Sequence, residues 1–143
     1  MKTKIMLVVL AVITFSCCKT SKNVETSNLP LVGTRWNLVA IEDQKLAENL
    51  SVQPFIQFNA EGQYSGNLGC NAYFGTYYTK KAKLDLSYTG ATKKLCEDMS
   101  TEDAFLKAMK KDINNYAISG NTLIMFSGKT EILRFEADTT AHE

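Results

Sequence analysis

From residue 33 to residue 136 the chain alternates apolar and polar positions with period two, and it switches to helical spacing only once. Trp36, Leu38 and Ala40 alternate with Arg35, Asn37 and Val39, which predicts a strand with one face inward and the single tryptophan in the core. Glu42 to Gln53 is polar and reads as loop, with room for a helical turn over Lys45–Asn49. Phe55–Phe58 is a second strand, and Asn59-Ala60-Glu61-Gly62 is a hairpin turn with glycine where a left-handed residue is needed. Tyr64, Gly66 and Leu68 share a face of the next strand, with Ser65 and Asn67 on the other. Gly69-Cys70-Asn71 then turns the chain, since Gly and Asn both tolerate positive φ. Phe74–Thr79 returns, Lys80–Lys83 is a charged turn, and Leu84, Leu86 and Tyr88 face one way on the strand that follows.

After the connection Gly90–Met99 the spacing changes. Ser100 supplies a hydroxyl cap, Glu102 and Asp103 complement the N-terminal dipole, and Phe105, Leu106, Met109 and Ile113 form one apolar stripe. Packing onto a sheet accounts for such a stripe better than a membrane-surface helix does. A three-strand meander ends the domain: Tyr116–Ile118, Thr122–Phe126 and Thr130–Glu136, with Ile132 on the face opposite Leu133 and Phe135. The fold class read from this pattern is α+β, about eight short strands and one helix.

The N-terminus has a different pattern. Lys2 and Lys4 precede an apolar run from Ile5 to Ile13, then Thr14-Phe15-Ser16-Cys17. Basic end, short apolar centre and small residue make a secretory signal, and the run is too short to span a bilayer. A cysteine after Ser16 matches the lipoprotein box, in which Cys17 is acylated and becomes the new N-terminus. The expected organisation is a signal peptide over 1–16, a lipidated end and polar tether over 17–31, the domain over 32–137 and a frayed tail over 138–143. Loss of Lys2 and Lys4 from the 16 basic residues leaves 14 against 15 acids, a net of −1. Scattered lysines and near-zero charge exclude a nucleic-acid footprint.

The stretch Gln63–Tyr78, QYSGNLGCNAYFGTYY, is rich in special backbone chemistry and poor in catalytic groups. Cys70 and Cys96 are the cysteines left in the domain, and an exported compartment permits a structural disulfide, with reduced buried thiols as the alternative. Closing that loop would contribute about 3 kcal/mol in the chain-entropy model. Two thiols without a neighbouring histidine fall short of a zinc site. The sole histidine, His142, lies in the tail and cannot orient a base, so no cysteine nucleophile is expected. The pairs Glu97-Asp98 and Glu102-Asp103 suit a helix start better than acid–base work. No phosphate loop, serine elbow or dinucleotide fingerprint is present. The reading is non-enzymatic, without metal or cofactor.

Trp36-x-Leu38, Phe58 with Gly62, Gly66, Gly69-Cys70-Asn71, Gly75-x-Tyr77, Leu84, Thr92 with Cys96, Glu102-x-x-Phe105-Leu106, Leu123 and Leu133-x-Phe135 together resemble the META domain, or HslJ-like, family. The resemblance spans Gly33 to Glu136, and GCN-x-Y-x-G-x-Y is its most specific part. Lys94 departs from it, standing where the family often has methionine. The resemblance implies a cracked or strongly curved antiparallel barrel with one helix, in a bacterial envelope protein linked to stress response and without an established reaction. Two expectations follow: an interaction or assembly module whose envelope protein partner docks on a strand edge or groove, or a carrier enclosing a small hydrophobic or lipid ligand among Tyr64, Tyr73, Phe74, Tyr77, Tyr78 and Tyr88. The expected location is the outer membrane, facing the periplasm, held by the Cys17 lipid.

Overall fold

The computed structural model describes residues 27–140, so the signal, Cys17 and most of the tether lie outside the described residues. Nine strands and one helix follow in order: β1 (Arg35–Ile41), β2 (Gln44–Lys45), β3 (Phe55–Phe58), β4 (Gln63–Asn67), β5 (Ala72–Lys80), β6 (Lys83–Ala91), α1 (Ser100–Met109), β7 (Asn115–Ser119), β8 (Thr122–Ser127) and β9 (Thr130–Ala137). The strands form one sheet in the order β2-β1-β3-β4-β5-β6-β7-β8-β9, and β9 returns to pair with β1. The sheet therefore closes into a ring of eight strands, with β2 appended at one end of β1. Closure is uneven, because β6 and β7 share only the pair Lys83–Asn115.

β2 is the ninth strand, in the stretch expected to be loop or helical turn. Glu42 adopts a left-handed φ of 54°, and this turn folds Gln44 and Lys45 back onto Ile41 and Ala40. Two residues of ladder prevail there because Lys45–Asn49 has no apolar stripe with which to dock a helix. Ile132 is also a correction. The β8–β9 register shifts between Met125 and Phe126, leaving Ile132 as the extra residue. A bulge lets neighbours share a face, so Ile132 and Leu133 are both buried. The folded chain extends past the expected limits of 32 and 137: Leu29 donates to Gly120 O at 3.0 Å, Leu31 is in the core, and Asp138 donates to Arg35 O at 2.8 Å.

The ring interior is filled by side chains. Trp36, Leu38, Ile56, Phe58, Tyr64, Leu68, Tyr73, Leu84, Phe105, Leu123, Met125, Leu133 and Phe135 are all buried. A continuous aromatic run crosses it: Tyr77–Phe58 at 4.8 Å between centroids, Phe58–Tyr64 at 6.1 Å, Tyr64–Tyr73 at 5.8 Å, Tyr73–Phe105 at 5.6 Å and Phe105–Phe135 at 6.1 Å. Tilted and edge-on pairs of this kind contribute about 0.5–1.5 kcal/mol each beyond area burial. Phe105 joins the helix to this run, and Ala108, Met109 and Ile113 complete the buried stripe, while Leu106 is half-buried beside it.

Two glycines make room for the tyrosines. In the β4–β5 ladder Tyr64 stands opposite Gly75 and Tyr73 opposite Gly66. A Cβ at Gly75 would collide with the Ser87 carbonyl oxygen and sit 2.5 Å from the Tyr64 ring, and one at Gly66 would collide with the Phe55 carbonyl oxygen and sit 2.6 Å from Tyr73 Cε1. Gly75→Ala is therefore expected to destabilise the domain by about 1–3 kcal/mol, the cost of overpacking, read as a lower urea midpoint.

The Tyr64 hydroxyl is buried and has no hydrogen-bond partner among the described residues. Burial pushes it up to about 12, with Tyr88 adding to the effect. The unfolded phenol ionises near pH 10, so the stability it contributes is complete below about pH 10 and is lost as pH rises toward 12. Tyr64→Phe removes an unsatisfied buried donor. We expect it to hold or raise stability at pH 7, by up to about 1–3 kcal/mol, and to flatten the loss between pH 10 and 12 in alkaline unfolding curves.

Candidate functional site

The residues of the Gly-Cys-Asn turn are brought together with the helix start and the segment Thr92–Met99. Cys70 and Cys96 form a disulfide with Cα atoms 6.2 Å apart. Next to it, Asn71 uses every polar group it has. Its backbone N–H donates to Glu102 Oε2 at 2.7 Å and its side-chain amide donates to Glu102 Oε1 at 2.9 Å. The same amide donates to Lys94 O at 3.1 Å. The Asn71 Oδ1 accepts from Lys94 N at 2.7 Å and from the Thr92 hydroxyl at 2.8 Å. Its carbonyl accepts from Leu68 N at 2.8 Å, closing the turn.

This assigns Asn71 a different role from the one read in the sequence. Its φ is not positive, and the left-handed residue of the turn is Gly69 at φ 118°. The Gly69 N–H is held by Asn67 Oδ1 at 2.7 Å. Glu102 also departs from expectation, since it faces inward and is buried rather than complementing the helix dipole from solvent. A buried carboxylate is costly unless its oxygens are hydrogen-bonded, and here two donors from one residue meet both oxygens. The position was visible in the spacing: Glu102, Phe105 and Met109 lie at i, i+3 and i+7 on one helical stripe. The helix cap is a further correction. Ser100 is the first helical residue rather than the cap, and its N–H is met by Asp98 Oδ1 at 2.8 Å, which holds the Asp98 carboxyl below the usual range.

The remaining motif residues are dispersed. Gly75 lies under the Tyr64 ring. Tyr77 is half-buried, and its hydroxyl donates to Asn59 O at 2.6 Å. Of the six aromatics considered as a cage, Tyr64 and Tyr73 are interior, while Phe74, Tyr78 and Tyr88 are exposed. Among the described residues no cluster of three or more His, Cys, Asp or Glu is placed to hold a metal, and no helix is long and apolar enough to cross a membrane.

A helix-plugged antiparallel ring, tied at its glycine turn by a disulfide and a buried Asn–Glu pair, defines the class of protein. Residues 29–140 match the META domain, and the chain belongs to that family. No curated protein matches the sequence. The fold is shared with an NMR structure of a protein from Burkholderia xenovorans, at 23% identity and TM-score 0.60 over 76% of this chain and 84% of that one. It is shared as well with a crystal structure of a DUF4847 family protein from Bacteroides vulgatus ATCC 8482, at 16% identity and TM-score 0.56 over 74% and 93% of the two chains.

The Asn71–Glu102 pair is testable as a unit. Asn71→Ala leaves Glu102 Oε1 without its donor and Lys94 N–H without its acceptor, and is expected to cost about 3 kcal/mol in urea unfolding. Glu102→Gln sets an amide donor against the Asn71 donors and is expected to cost about 1–3 kcal/mol. Because each loss includes the same contacts, the double variant is expected to fall short of the sum of the single effects by more than about 1 kcal/mol.

Proposed function

We propose that this META-domain protein is a non-enzymatic, lipid-anchored module of the bacterial envelope, held through Cys17 on the outer membrane and facing the periplasm. In this reading it serves envelope assembly or stress response by docking a partner protein. The anchor rests on the sequence Lys2 to Cys17, and a chain of net charge −1 after Lys2 and Lys4 are removed would need more than one acyl chain to stay on a bilayer. The non-enzymatic reading is supported by the disulfide, which leaves neither Cys70 nor Cys96 free as a nucleophile.

One observation carries the docking reading: β6 leaves the ring ladder after its first residues. Leu84 N donates to Asn114 O at 3.2 Å, which fixes the direction in which the even-numbered backbone groups of β6 point. Leu86 and Tyr88 direct their N–H and C=O groups to the same side, beyond the single pair with β7. An unpaired edge of this kind accepts an extended segment by main-chain hydrogen bonding. The carrier reading has less support, because aromatic and aliphatic side chains occupy the ring interior.

Cys17→Ser is expected to abolish incorporation of labelled palmitate and to release the protein from, or stall it before, the membrane fraction; unchanged labelling and fractionation overturn the anchor. For the edge, a photo-crosslinking residue at Ser87 or Thr89 is expected to trap a partner in cells. A control at Glu136, on the far side of the ring, is expected to trap none. The same yield at all three positions overturns strand docking.

A further inference from the structure

The outer face of β3, β4 and β5 carries a shallow groove of about 630 Å³. Its floor is built by register. Gln57 pairs with Ser65, Ser65 with Phe74 and Phe74 with Gly90, while Gln63 pairs with Thr76. Side chains on one face of successive strands stand about 4.8 Å apart, so these rows form a regular lattice of amides and hydroxyls. The strap Val32–Gly33 walls one side, where Gly33 N donates to Phe58 O at 2.9 Å. The other side is walled by Phe74 and by Thr89, the extra residue of the β5–β6 bulge.

Phe74 is a large aromatic that is 53% exposed. A Cβ at Gly90 would lie 3.6 Å from Phe74 Cζ, so the ring rests against bare backbone on that side. Ser65, Thr76 and Thr89 make no side-chain hydrogen bond among the described residues, and the Gln63 amide nitrogen has no acceptor among them either.

The composition of the groove selects its ligand. None of its thirteen lining residues is charged, in a chain that is 22% charged. A second groove of similar size, between the β1–β9 face and the β2 loop, includes Glu42, Asp43, Lys45, Glu48, Glu131, Arg134 and Glu136. An anionic ligand or nucleic acid would call for lysine or arginine, which the Phe74 groove lacks. A hydrophobic ligand would leave its amides and hydroxyls desolvated without partners. A protein hot spot would be built around a desolvated aromatic or arginine anchor, whereas the surround here is hydroxyl and amide. What remains is a neutral, rigid, hydroxyl-rich molecule with one apolar face, to lie on the negative face of an aromatic ring. One pyranose residue is about as long as one strand spacing of roughly 4.8 Å.

We propose that the Phe74 groove binds a neutral oligosaccharide, with a sugar ring stacked on Phe74 and its hydroxyls bonded to Gln57, Gln63, Ser65, Thr76 and Thr89. The groove opens on the outer face of the sheet and meets β6 only at Thr89, and sugar binding there does not depend on partner docking.

The test is titration of the full-length isotope-labelled protein, in a phosphocholine detergent that carries no sugar, with maltohexaose, cellohexaose and mannohexaose, and with a galacturonic acid oligomer as the charged counterpart. The expected result is saturable shifts at the groove amides with at least one neutral hexaose, at a Kd in the high micromolar to millimolar range. Phe74→Ala is expected to weaken binding about tenfold, the worth of one aromatic contact. Arg134→Ala, in the charged groove, is expected to change nothing. Because Phe74 lies on the outer face, retention of the dispersed spectrum by Phe74→Ala separates lost binding from lost folding. Any of three results overturns the proposal: no groove shift with any neutral hexaose, an equal or larger response to the uronic acid oligomer, or unchanged affinity in Phe74→Ala.

Discussion

The Glu102 carboxylate is the constraint on which the rest of the domain turns. It sits in the first turn of the helix, out of solvent, and its oxygens are met by the backbone and side chain of Asn71 at 2.7 and 2.9 Å. A buried acid satisfied by a single residue fixes that residue's place, and Asn71 in turn fixes the segment at Lys94 and the turn at Leu68. The Gly-Cys-Asn turn, the segment Thr92–Lys94 and the helix start thus meet at one residue. The Cys70–Cys96 bond runs beside them and holds the same two segments covalently. With the helix start located in this way, Phe105 is delivered between Tyr73 and Phe135, and the ring has its plug.

The second organising element is the exchange of volume between glycine and tyrosine across β4 and β5. Tyr64 and Tyr73 each lie over a glycine on the neighbouring strand, so two large rings enter a small barrel without pushing its strands apart. The glycines therefore act here as receptacles for aromatic rings as well as bends. One consequence is the stranded Tyr64 hydroxyl, which packing places where nothing bonds it. Packing outweighs hydrogen bonding at that atom.

The sequence made the alternation legible because it carries a strong period: Trp36, Leu38 and Ala40, then Leu84, and the helical stripe through Phe105 and Met109 are buried as the spacing requires. Family membership was legible in GCN-x-Y-x-G-x-Y, the run that places Asn71 against Glu102 and Gly75 under the Tyr64 ring. What the pattern hid was register and the partner of the buried acid, whose place on the helical stripe with Phe105 and Met109 was readable. Glu102 and Asn71 read as a solvated acid and a turn former, since single-residue reasoning places charges outside; their pairing spans 31 positions. Ile132 was assigned outward by strict alternation, and a bulge overrode it. Lys94 looked like a departure in side-chain chemistry, yet the structure uses its backbone N–H and C=O and leaves the side chain exposed, so the residue type there is free to vary.

The closing pair of the ring, β1 with β9, joins Leu38 to Phe135. The strands from β3 to β6 are neighbours both in sequence and in space, so each hairpin can form by closing a short loop. Bringing the two ends of the domain together instead restricts nearly its whole length at once, and the entropy of that loop must be lost before its contacts repay it. On contact order the local hairpins are favoured to form before the ring closes. Trp36 stands between Ile56 of β3 and Ala137 at the end of β9, so a chain cut short before β9 would lack one of the two strands that flank its single tryptophan.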